Sequence, residues 1–362
     1  MNKHQPYDLK QMQSLPLEAK IIMTQQRIRQ WYDHWEGEVY VSFSGGKDST
    51  VLADLVARFC KRYGYKMYLL FVNTGLEYPE IQKFVKTFAE WLRNTYGIEV
   101  QLDIVRPEMR FDEVLKKYGY PVISKENSLY IRQCQNPTDK NAATIRLRTE
   151  GIKSDGSITS VGQIPVKWMH LINAPFPVSE KCCDVMKKSP AKKYEKETGR
   201  KPIIGTQASE SRLRYRKWLQ NGCNAFEKGN PSSQPLSFWT EQDILHYIKK
   251  YDVPYASVYG DIRVKPPEDA EEGQINAIDF LGCYEPEDTL ETTGCDRTGC
   301  IFCMFGCHLE KEPNRFQRLK ETHPRQYEYC IGGGEMVDGK WQPNKEGLGL
   351  GKVLDYIGVD YK

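Results

Sequence analysis

The chain has 362 residues, with 51 Lys and Arg against 48 Asp and Glu and a formal charge of +3. Its 40% hydrophobic and 12% aromatic content exclude a mainly disordered chain and allow one large or two modest domains. The balanced charge gives no bulk signature of nucleic-acid binding. With no apolar run of membrane-spanning length and no apolar leader, we expect a cytoplasmic protein without a membrane partner.

The first third of the chain alternates between strand-like and helical periodicity. Two short apolar runs lie on either side of a helical segment, and a third follows a further helical segment. In chain order the predicted elements are a helix at 17–35, a strand at 39–46, a helix at 48–64, a strand at 66–75, a helix at 78–96 and a strand at 98–105. This alternation predicts an α/β fold in which helices cover a parallel sheet.

The periodicity breaks between residues 125 and 163, which predicts an irregular insertion or mobile loop. Further on, Thr240 and Asp243 form the capping-box pattern of a helix start. The other predicted elements are a helix at 179–198, a strand at 200–206, a helix at 208–219 and a joint at 231–234. We therefore predict an N-terminal helical segment (1–36), a nucleotide-binding domain (37–234) and a smaller helical, cysteine-rich region (235–362).

A glycine-rich loop joins the first predicted strand to the helix that follows. Glycines let the backbone turn tightly, and the free N–H groups of a first helical turn favour an anion. The spacing differs from a Walker A loop and from GxGxxG, so a nicotinamide enzyme is disfavoured. Lys47 adds a positive charge, and Thr50 adds a hydroxyl. The alternative is a plain turn with a routine N-cap. The loop residues are Ser44, Gly45, Gly46, Lys47, Asp48 and Ser49.

The segment SFSGGKDS resembles the PP-loop of the adenine nucleotide α-hydrolases, which include ATP pyrophosphatases and sulfonucleotide reductases. Five further segments resemble, in the same order, motifs of phosphoadenosine phosphosulfate (PAPS) reductase-like proteins. They are VNTGLEYPE, ISK at 123–125, EKCCDVMKKSP, IIGTQASESRLR and RTGCIFC. The six motifs run from about residue 38 to 310, and on them the chain is identified as a member of the PAPS reductase-like family with a Rossmann-like fold.

The resemblance implies that adenosine lies across the carboxyl ends of the strands, with its phosphate or sulfate in the loop. It places four residues beside the nucleotide: Asn73, Thr74, Gly75 and Gly205. Three residues are implied to be catalytic: Lys47, Asp48 and Arg212. The alternatives are an ordinary strand-ending turn at 73–75 and a solvated basic helix face around Arg212. One position departs from the family, since its usual Arg is Gln207 here, which argues against a doubly anionic sulfonucleotide.

Eleven cysteines are present, and clustered cysteines in an intracellular protein indicate metal binding or redox chemistry. In the adenosine phosphosulfate (APS) reductase branch, a tandem Cys pair and a late Cys-x-x-Cys hold a [4Fe-4S] cluster. That resemblance implies the ligands Cys182, Cys183, Cys300 and Cys303. By count alone, four thiolates suit structural zinc equally, and free thiols are the third alternative.

The remaining cysteines divide into two groups. Cys295 and Cys307 are reserve ligands or carriers of transferable sulfur, and a local site formed by them with Cys300 and Cys303 would favour zinc. The others are interpreted as core or incidental thiols: Cys60, Cys134, Cys223, Cys283 and Cys330.

Three functions follow from these motifs. The first is an ATP pyrophosphatase that uses Mg²⁺, forms AMP and activates an acceptor for sulfur transfer, aided by an iron–sulfur cluster. The expected partners are a nucleic-acid or small-molecule acceptor and a sulfur donor such as a cysteine desulfurase. The second is an APS or PAPS reductase that releases sulfite. That family's C-terminal Glu-Cys-Gly-x-His segment is missing, and Cys330 is the nearest substitute. The third is a non-catalytic nucleotide-sensing subunit.

Overall fold

The computed structural model describes residues 3–227, 229–266 and 288–362. Its contacts divide the chain into two compact units that do not follow the boundaries predicted at 36/37 and 234/235. Unit 1 consists of Met1–Asn73, Glu77–Val105 and Ala191–Gly299, and unit 2 of Thr74–Leu76, Arg106–Pro190 and Cys300–Lys362. Cys283, interpreted above as an incidental thiol, lies outside the described residues.

Unit 1 is built on a six-stranded sheet with the order β3-β2-β1-β4-β6-β5. All neighbouring strands are parallel except β5, which runs antiparallel to β6. The strands are β1 (Val39–Ser42), β2 (Met67–Val72), β3 (Val100–Val105), β4 (Lys201–Ile204), β5 (Asn224–Ala225) and β6 (Ser232–Ser233). The mainly parallel sheet confirms the predicted α/β class.

Helices pack around this sheet. The helices of this part of the chain are α1 (Pro6–Gln13), α2 (Leu17–His34), α3 (Lys47–Tyr63), α4 (Pro79–Tyr96), α8 (Ser189–Thr198), α9 (Arg212–Asn221) and α10 (Glu241–Tyr251). Of these, α2, α3 and α4 begin and end within one residue of their predicted bounds, whereas α8 and α9 begin ten and four residues later than predicted. Helices α3 and α4 end at Gly64 and Gly97, whose left-handed backbone lets the chain leave the helix. A small antiparallel pair, β7 (Ile262–Val264) and β8 (Leu290–Thr292), completes unit 1.

Unit 2 consists of short helices and one antiparallel strand pair. They are α5 (Phe111–Tyr118), α6 (Lys125–Gln135), α7 (Ala142–Glu150), α11 (Arg315–Thr322), α12 (Pro324–Ile331), α13 (Leu350–Tyr356), β9 (Glu335–Val337) and β10 (Lys340–Gln342). A π-helical turn, Asp184–Lys188, directly precedes α8.

Two sequence predictions about irregular segments are wrong. The stretch 125–163 contains α6 and α7, because Ser124 caps α6 by accepting a hydrogen bond from the Asn127 N–H, and Ile131 is buried on its inner face. The predicted joint at 231–234 contains β6, in which Ser233 is fully buried and donates to the Asn224 side chain at 2.7 Å. The helices in 125–163 could not be predicted from periodicity because they carry many polar residues. Strand β6 could not be predicted because it is only two residues long.

A search of the helices within the described residues finds none with the length and apolar character needed to cross a bilayer.

Candidate functional site

The glycine-rich loop lies at the point of the sheet where the strand order reverses. Strand β1 pairs with β2 on one side and with β4 on the other, so the loops after β1 and β4 leave neighbouring strand ends. Open parallel sheets bind ligands at this position, because the two loops diverge and leave a crevice. The topology therefore puts residues 44–49 and 205–207 on the same edge of unit 1.

Two glycines allow the backbone to pass through this crowded edge. Gly45 has a φ of +74°, and a Cβ atom there would lie 2.8 Å from the Ile81 side chain. A Cβ on Gly205 would lie 3.0 Å from the Asp48 carbonyl oxygen. A side chain at Gly45 would collide with α4, and one at Gly205 would push the two loops apart, so both positions need glycine.

Lys47 is the first residue of α3, and its ammonium is buried against other parts of unit 1. Its Nζ forms an ion pair with the Glu241 carboxylate and donates to the Asp296 carbonyl oxygen at 3.0 Å. It also lies 5.4 Å from the centre of the Tyr259 ring. The Lys47 side chain is 6% exposed, whereas that of Glu241 is 54% exposed.

The loop satisfies much of its own hydrogen bonding, which differs from the open set of donors that the sequence predicted. The Ser44 N–H donates to Ser49 Oγ at 3.2 Å, and the Gly46 N–H donates to Ser44 Oγ at 3.3 Å. The hydroxyls of Ser49 and Thr50 donate to the Gly46 carbonyl at 2.9 and 3.0 Å. The two hydroxyls expected to face a ligand therefore bond back to the Gly46 carbonyl at the start of α3 instead.

Asp48 is held by the residue that departs from the family motif. Gln207 is 6% exposed, and its Nε2 donates to Asp48 Oδ1 at 2.8 Å. Burial raises the pKa of Asp48, while Lys47 and the Gln207 hydrogen bond act in the opposite direction. Because the Gln207 amide is neutral, it gives the Asp48 carboxylate a hydrogen-bond donor but does not neutralise a negative charge there.

Beyond Gln207, two arginines converge on one carboxylate. Glu210 accepts a hydrogen bond from the Gln207 N–H at 3.0 Å and forms ion pairs with Arg214 and Arg297. Arg212, the arginine that the resemblance implied to be catalytic, is exposed and has no ion-pair partner within the described part of unit 1. The geometry thus brings Arg214 and Arg297, rather than Arg212, into the network that reaches Asp48.

The three residues implied by the second motif follow β2. The Asn73 N–H donates to the Val105 carbonyl at 2.8 Å and so continues the pairing of β2 with β3. Thr74 and Gly75 belong to unit 2, where the Thr74 hydroxyl accepts from the Leu76 N–H at 3.1 Å. The segment thus forms a turn at the end of β2, and its contact with a nucleotide stays a prediction.

The four cysteines implied as ligands line one small cavity in unit 2. Its volume is about 20 Å³, and its other lining residues are Leu76, Phe111, Pro121, Met186, Lys187 and Phe302. Two sequence segments far apart in the chain, 182–183 and 300–303, are therefore brought together. The Cys182 and Cys183 sulfurs are 3.9 Å apart.

One of the four cysteines, Cys183, is in surroundings that favour its deprotonated form. The hydrogen bond from Cys182 lowers the pKa of Cys183 to about 6, and Lys125 and Lys187 act in the same direction. The pKa of Cys182 rises because it donates that bond and is buried. Burial also raises the pKa of Cys303. Deprotonated Cys183 is the form in which a cysteine binds a metal.

The donor set fits a thiolate-bound centre, although the four side chains are not yet arranged around one. Four thiols in an apolar wall are the ligands that iron–sulfur clusters and structural zinc use. The cavity among them has a volume of about 20 Å³, so these side chains would rearrange on binding a cluster. Across residues 3–227, 229–266 and 288–362, no three His, Cys, Asp or Glu side chains already have the arrangement of a metal site.

The other cysteines considered for chemistry lie elsewhere. Cys295 is in unit 1, and its N–H donates to the Val258 carbonyl at 3.0 Å. Cys307 is 1% exposed, donates to the Met304 carbonyl, and has its pKa raised to about 12 by burial. Cys330, the substitute nucleophile, is fully buried, and burial raises its pKa well above the usual range.

Sequence reasoning missed three residues that contact the loop: Glu241, Tyr259 and Thr298. The predicted cap at Thr240 fixes Glu241 as the first residue of α10, which was the one available signal. Tyr259 and Thr298 belong to irregular segments, and no spacing pattern connects them to Lys47. Only the folded chain brings them together.

The phosphoadenosine phosphosulfate reductase domain model matches residues 38–150 and 131–304, which together make up most of the chain. The search of curated proteins finds no match. Within the matched region lie the loop at 44–49, the tandem cysteines and Cys300-x-x-Cys303.

Solved structures with distant similarity include three nucleotide-related enzymes. The U34-tRNA thiolase NcsA from Methanococcus maripaludis, solved with its [4Fe-4S] cluster, is 15% identical, with 66% of each chain covered and a TM-score of 0.34. The NMN synthetase from Francisella tularensis is 14% identical, with 65% of this chain and 71% of that chain covered and a TM-score of 0.29. The NH3-dependent NAD synthetase from Campylobacter jejuni, in complex with nitrate, is 14% identical, with 66% and 75% covered and a TM-score of 0.31. Similarity at this level carries no statement about ligand or reaction.

Proposed function

Because the chain belongs to the phosphoadenosine phosphosulfate reductase domain family, we propose that it binds ATP with Mg²⁺ through residues 44–49 and acts as an AMP-forming pyrophosphatase. The observation that carries this proposal is the position of the loop. Its glycines and Lys47 form the N-terminal turn of α3 at the reversal point of a parallel sheet. Helix N-termini at such points favour phosphate groups.

The proposed reaction activates an acceptor for sulfur transfer. An acceptor oxygen attacks the α-phosphorus, the new O–P bond forms, and the bond to the β-phosphate oxygen breaks so that pyrophosphate leaves with the electron pair. Lys47 and the loop N–H groups stabilise the charge that develops on pyrophosphate. Gln207 orients Asp48 on the same turn, and the exposed Arg212 is proposed to contact the nucleotide.

Two observations favour ATP over a sulfonucleotide reductase activity. A reductase needs a thiolate nucleophile, and the nearest C-terminal candidate, Cys330, is fully buried with a raised pKa. Gln207 provides no positive charge where the family motif has an arginine, so the loop has one charged contact fewer for a sulfonucleotide. Sulfonucleotide reduction is therefore the second candidate, and sulfite release would identify it.

The sulfur step is proposed to use the thiol cavity of unit 2. Cys182, Cys183, Cys300 and Cys303 would hold a [4Fe-4S] cluster, or zinc as the alternative. When bound, an iron–sulfur cluster would present donated sulfide, which would form a bond to the activated acceptor atom while the bond from that atom to the AMP oxygen breaks and AMP leaves. The acceptor is proposed to be a nucleic acid or a small molecule. A sulfur-donor protein such as a cysteine desulfurase would supply the transferred sulfur.

Nucleotide binding by anaerobically purified protein tests this proposal. ATP, APS and PAPS are titrated separately by calorimetry, with and without Mg²⁺, and pyrophosphate, AMP and sulfite are measured. Lys47→Ala should weaken ATP binding about 10- to 100-fold, since a hydrogen bond to a charged group contributes about 1.5–3 kcal/mol. Lys61→Ala, an exposed lysine of the same helix, is the matched control and should leave binding unchanged.

Each outcome separates the candidate functions. ATP retention that depends on Lys47, with pyrophosphate and AMP formed when an acceptor is present, supports the proposal. PAPS or APS retention with sulfite release from a thiol donor would instead establish the reductase. Binding of ATP without turnover under any acceptor tried favours the nucleotide-sensing alternative.

A further inference from the structure

Lys47 offers two anion-binding groups, its backbone N–H and its ammonium, and oxygens of unit 1 already occupy both. The Lys47 ammonium is paired with the Glu241 carboxylate and donates to the Asp296 carbonyl at 3.0 Å. The Lys47 backbone N–H donates to the Tyr259 hydroxyl at 3.2 Å, and that hydroxyl is 2.6 Å from Thr298 Oγ1. A first-turn N–H and a lysine ammonium are the groups that phosphate oxygens would use. Protein oxygens therefore occupy both.

These residues are anchored to one another independently of the loop. Tyr259 and the segment before Thr298 are joined by backbone hydrogen bonds, from the Gly294 N–H to the Tyr259 carbonyl at 2.9 Å and from the Cys295 N–H to the Val258 carbonyl at 3.0 Å. A Cβ on Gly294 would lie 2.4 Å from the Val258 carbonyl, so the two segments are in close backbone contact. Tyr259 and Thr298 therefore contact the loop from two segments whose backbones are hydrogen-bonded to each other, and the contact does not depend on one long side chain.

The contact closes over the loop as well as over Lys47. A Cβ on Gly46 would lie 3.1 Å from Thr298 Oγ1 and 3.3 Å from the Tyr259 hydroxyl, which leaves no room for a phosphate group above this residue. We use the name latch for Glu241, Tyr259, Asp296 and Thr298.

We propose that the latch is autoinhibitory: it holds the phosphate loop closed in the nucleotide-free protein, and a nucleotide enters only when the latch opens. This inference rests on the proposed function, because it assumes that the loop binds the phosphates of ATP. The apparent affinity for ATP is then the intrinsic affinity multiplied by the fraction of molecules in which the latch is open. Weakening the latch therefore raises apparent affinity.

The first test measures ATP affinity in variants of the latch. Glu241→Gln removes the charge that competes for Lys47, and Tyr259→Phe removes the hydroxyl that accepts from its N–H. Each should tighten ATP binding about 5- to 10-fold, the size expected when one hydrogen bond or ion pair of modest net strength no longer competes. Glu18→Gln is the matched control, since Glu18 pairs with Lys250 and is 58% exposed, close to the 54% of Glu241. It should leave affinity unchanged.

The second test follows Lys47 without any nucleotide. An amine-acylating reagent is applied for short times, and labelling of Lys47 is quantified by peptide mass spectrometry. Because the latch buries the ammonium, Glu241→Gln should increase the Lys47 labelling rate several-fold, whereas Glu18→Gln should not. Labelling of the exposed Lys61 serves as the internal standard.

The two tests separate failure of the latch from failure of the proposed function. If Lys47 labelling rises in Glu241→Gln while no variant binds ATP, the latch holds and the proposed function fails. If the protein binds ATP but both latch variants bind it equally or more weakly, and labelling does not change, the latch is refuted. In that case Glu241 and Tyr259 are ordinary parts of the loop.

Discussion

The hydrogen bond between Gln207 and Asp48 makes a prediction about stability that depends on pH. Gln207 is buried and donates to a carboxylate whose pKa is already raised by burial. Gln207→Ala removes the side-chain amide that donates to Asp48 Oδ1. The buried carboxylate then loses a partner while Lys47 remains paired with Glu241.

The magnitude and sign follow from the charge on Asp48. A hydrogen bond to a charged group contributes about 1.5–3 kcal/mol, whereas one between neutral groups contributes about 0.5–1.5 kcal/mol. A group whose folded pKa lies above its unfolded pKa stabilises the fold most at low pH and loses that contribution as pH rises through the folded pKa. Because Gln207 lowers the pKa of Asp48, its removal raises that pKa further. The destabilisation by Gln207→Ala should therefore grow between about pH 4 and pH 7.

Urea unfolding of unit 1, followed by tryptophan fluorescence at pH 4.5 and pH 7.5, measures this difference. Gln25→Ala is the matched control, because the Gln25 amide donates to the neutral Leu55 carbonyl at 2.8 Å. Gln25→Ala should lower the free energy of unfolding by the same amount at both pH values. An equal cost of Gln207→Ala at both pH values would refute the assignment of a charged Asp48 held by this bond.

Three further predictions concern the thiols and α10. Cys330 should resist alkylation in the native protein and react fully in denaturant, because it is completely buried; native labelling would contradict that burial. Cys300→Ser should lose the iron or zinc found by elemental analysis, while Cys134→Ser, a cysteine of α6 outside the cavity, should keep it; full metal in Cys300→Ser would remove the ligand assignment. Thr240→Ala should lower the free energy of unfolding by about 1 kcal/mol through loss of the helix cap, and an unchanged urea midpoint would show that the cap contributes nothing.

Much of unit 1 could be predicted because its signals are local. The buried strands β1 to β4 carry short apolar runs, and α3 and α4 have a clear helical period with glycines at their ends. The loop at 44–49 was located by its own sequence, since glycines and a lysine between a strand and a helix have few other uses. The α/β class with a parallel sheet then followed from the alternation of strands and helices, whereas the strand order was not predicted.

What could not be predicted depends on contacts between distant segments. Strand β6 is two residues long and is defined by its pairing with β4, which no local pattern encodes. Helix α6 carries many polar residues because only one side of it is buried. Tyr259 and Thr298 reach the loop from irregular segments, and the convergence of Arg214 and Arg297 on Glu210 needs tertiary structure. The cysteine cavity was implied by family resemblance, and spacing alone left zinc and iron–sulfur equally open.

The central claim is that the N–H groups of the turn between β1 and α3 bind the phosphates of an adenine nucleotide. Backbone amide NMR spectra of the isotope-labelled protein, recorded during an ATP titration, test it most directly. We predict saturable shifts of the Gly45, Gly46 and Lys47 amides, and in Lys47→Ala the shifts of Gly45 and Gly46 should need about 10- to 100-fold more ATP to saturate. Saturable binding of ATP that leaves these three amides unchanged would contradict the account.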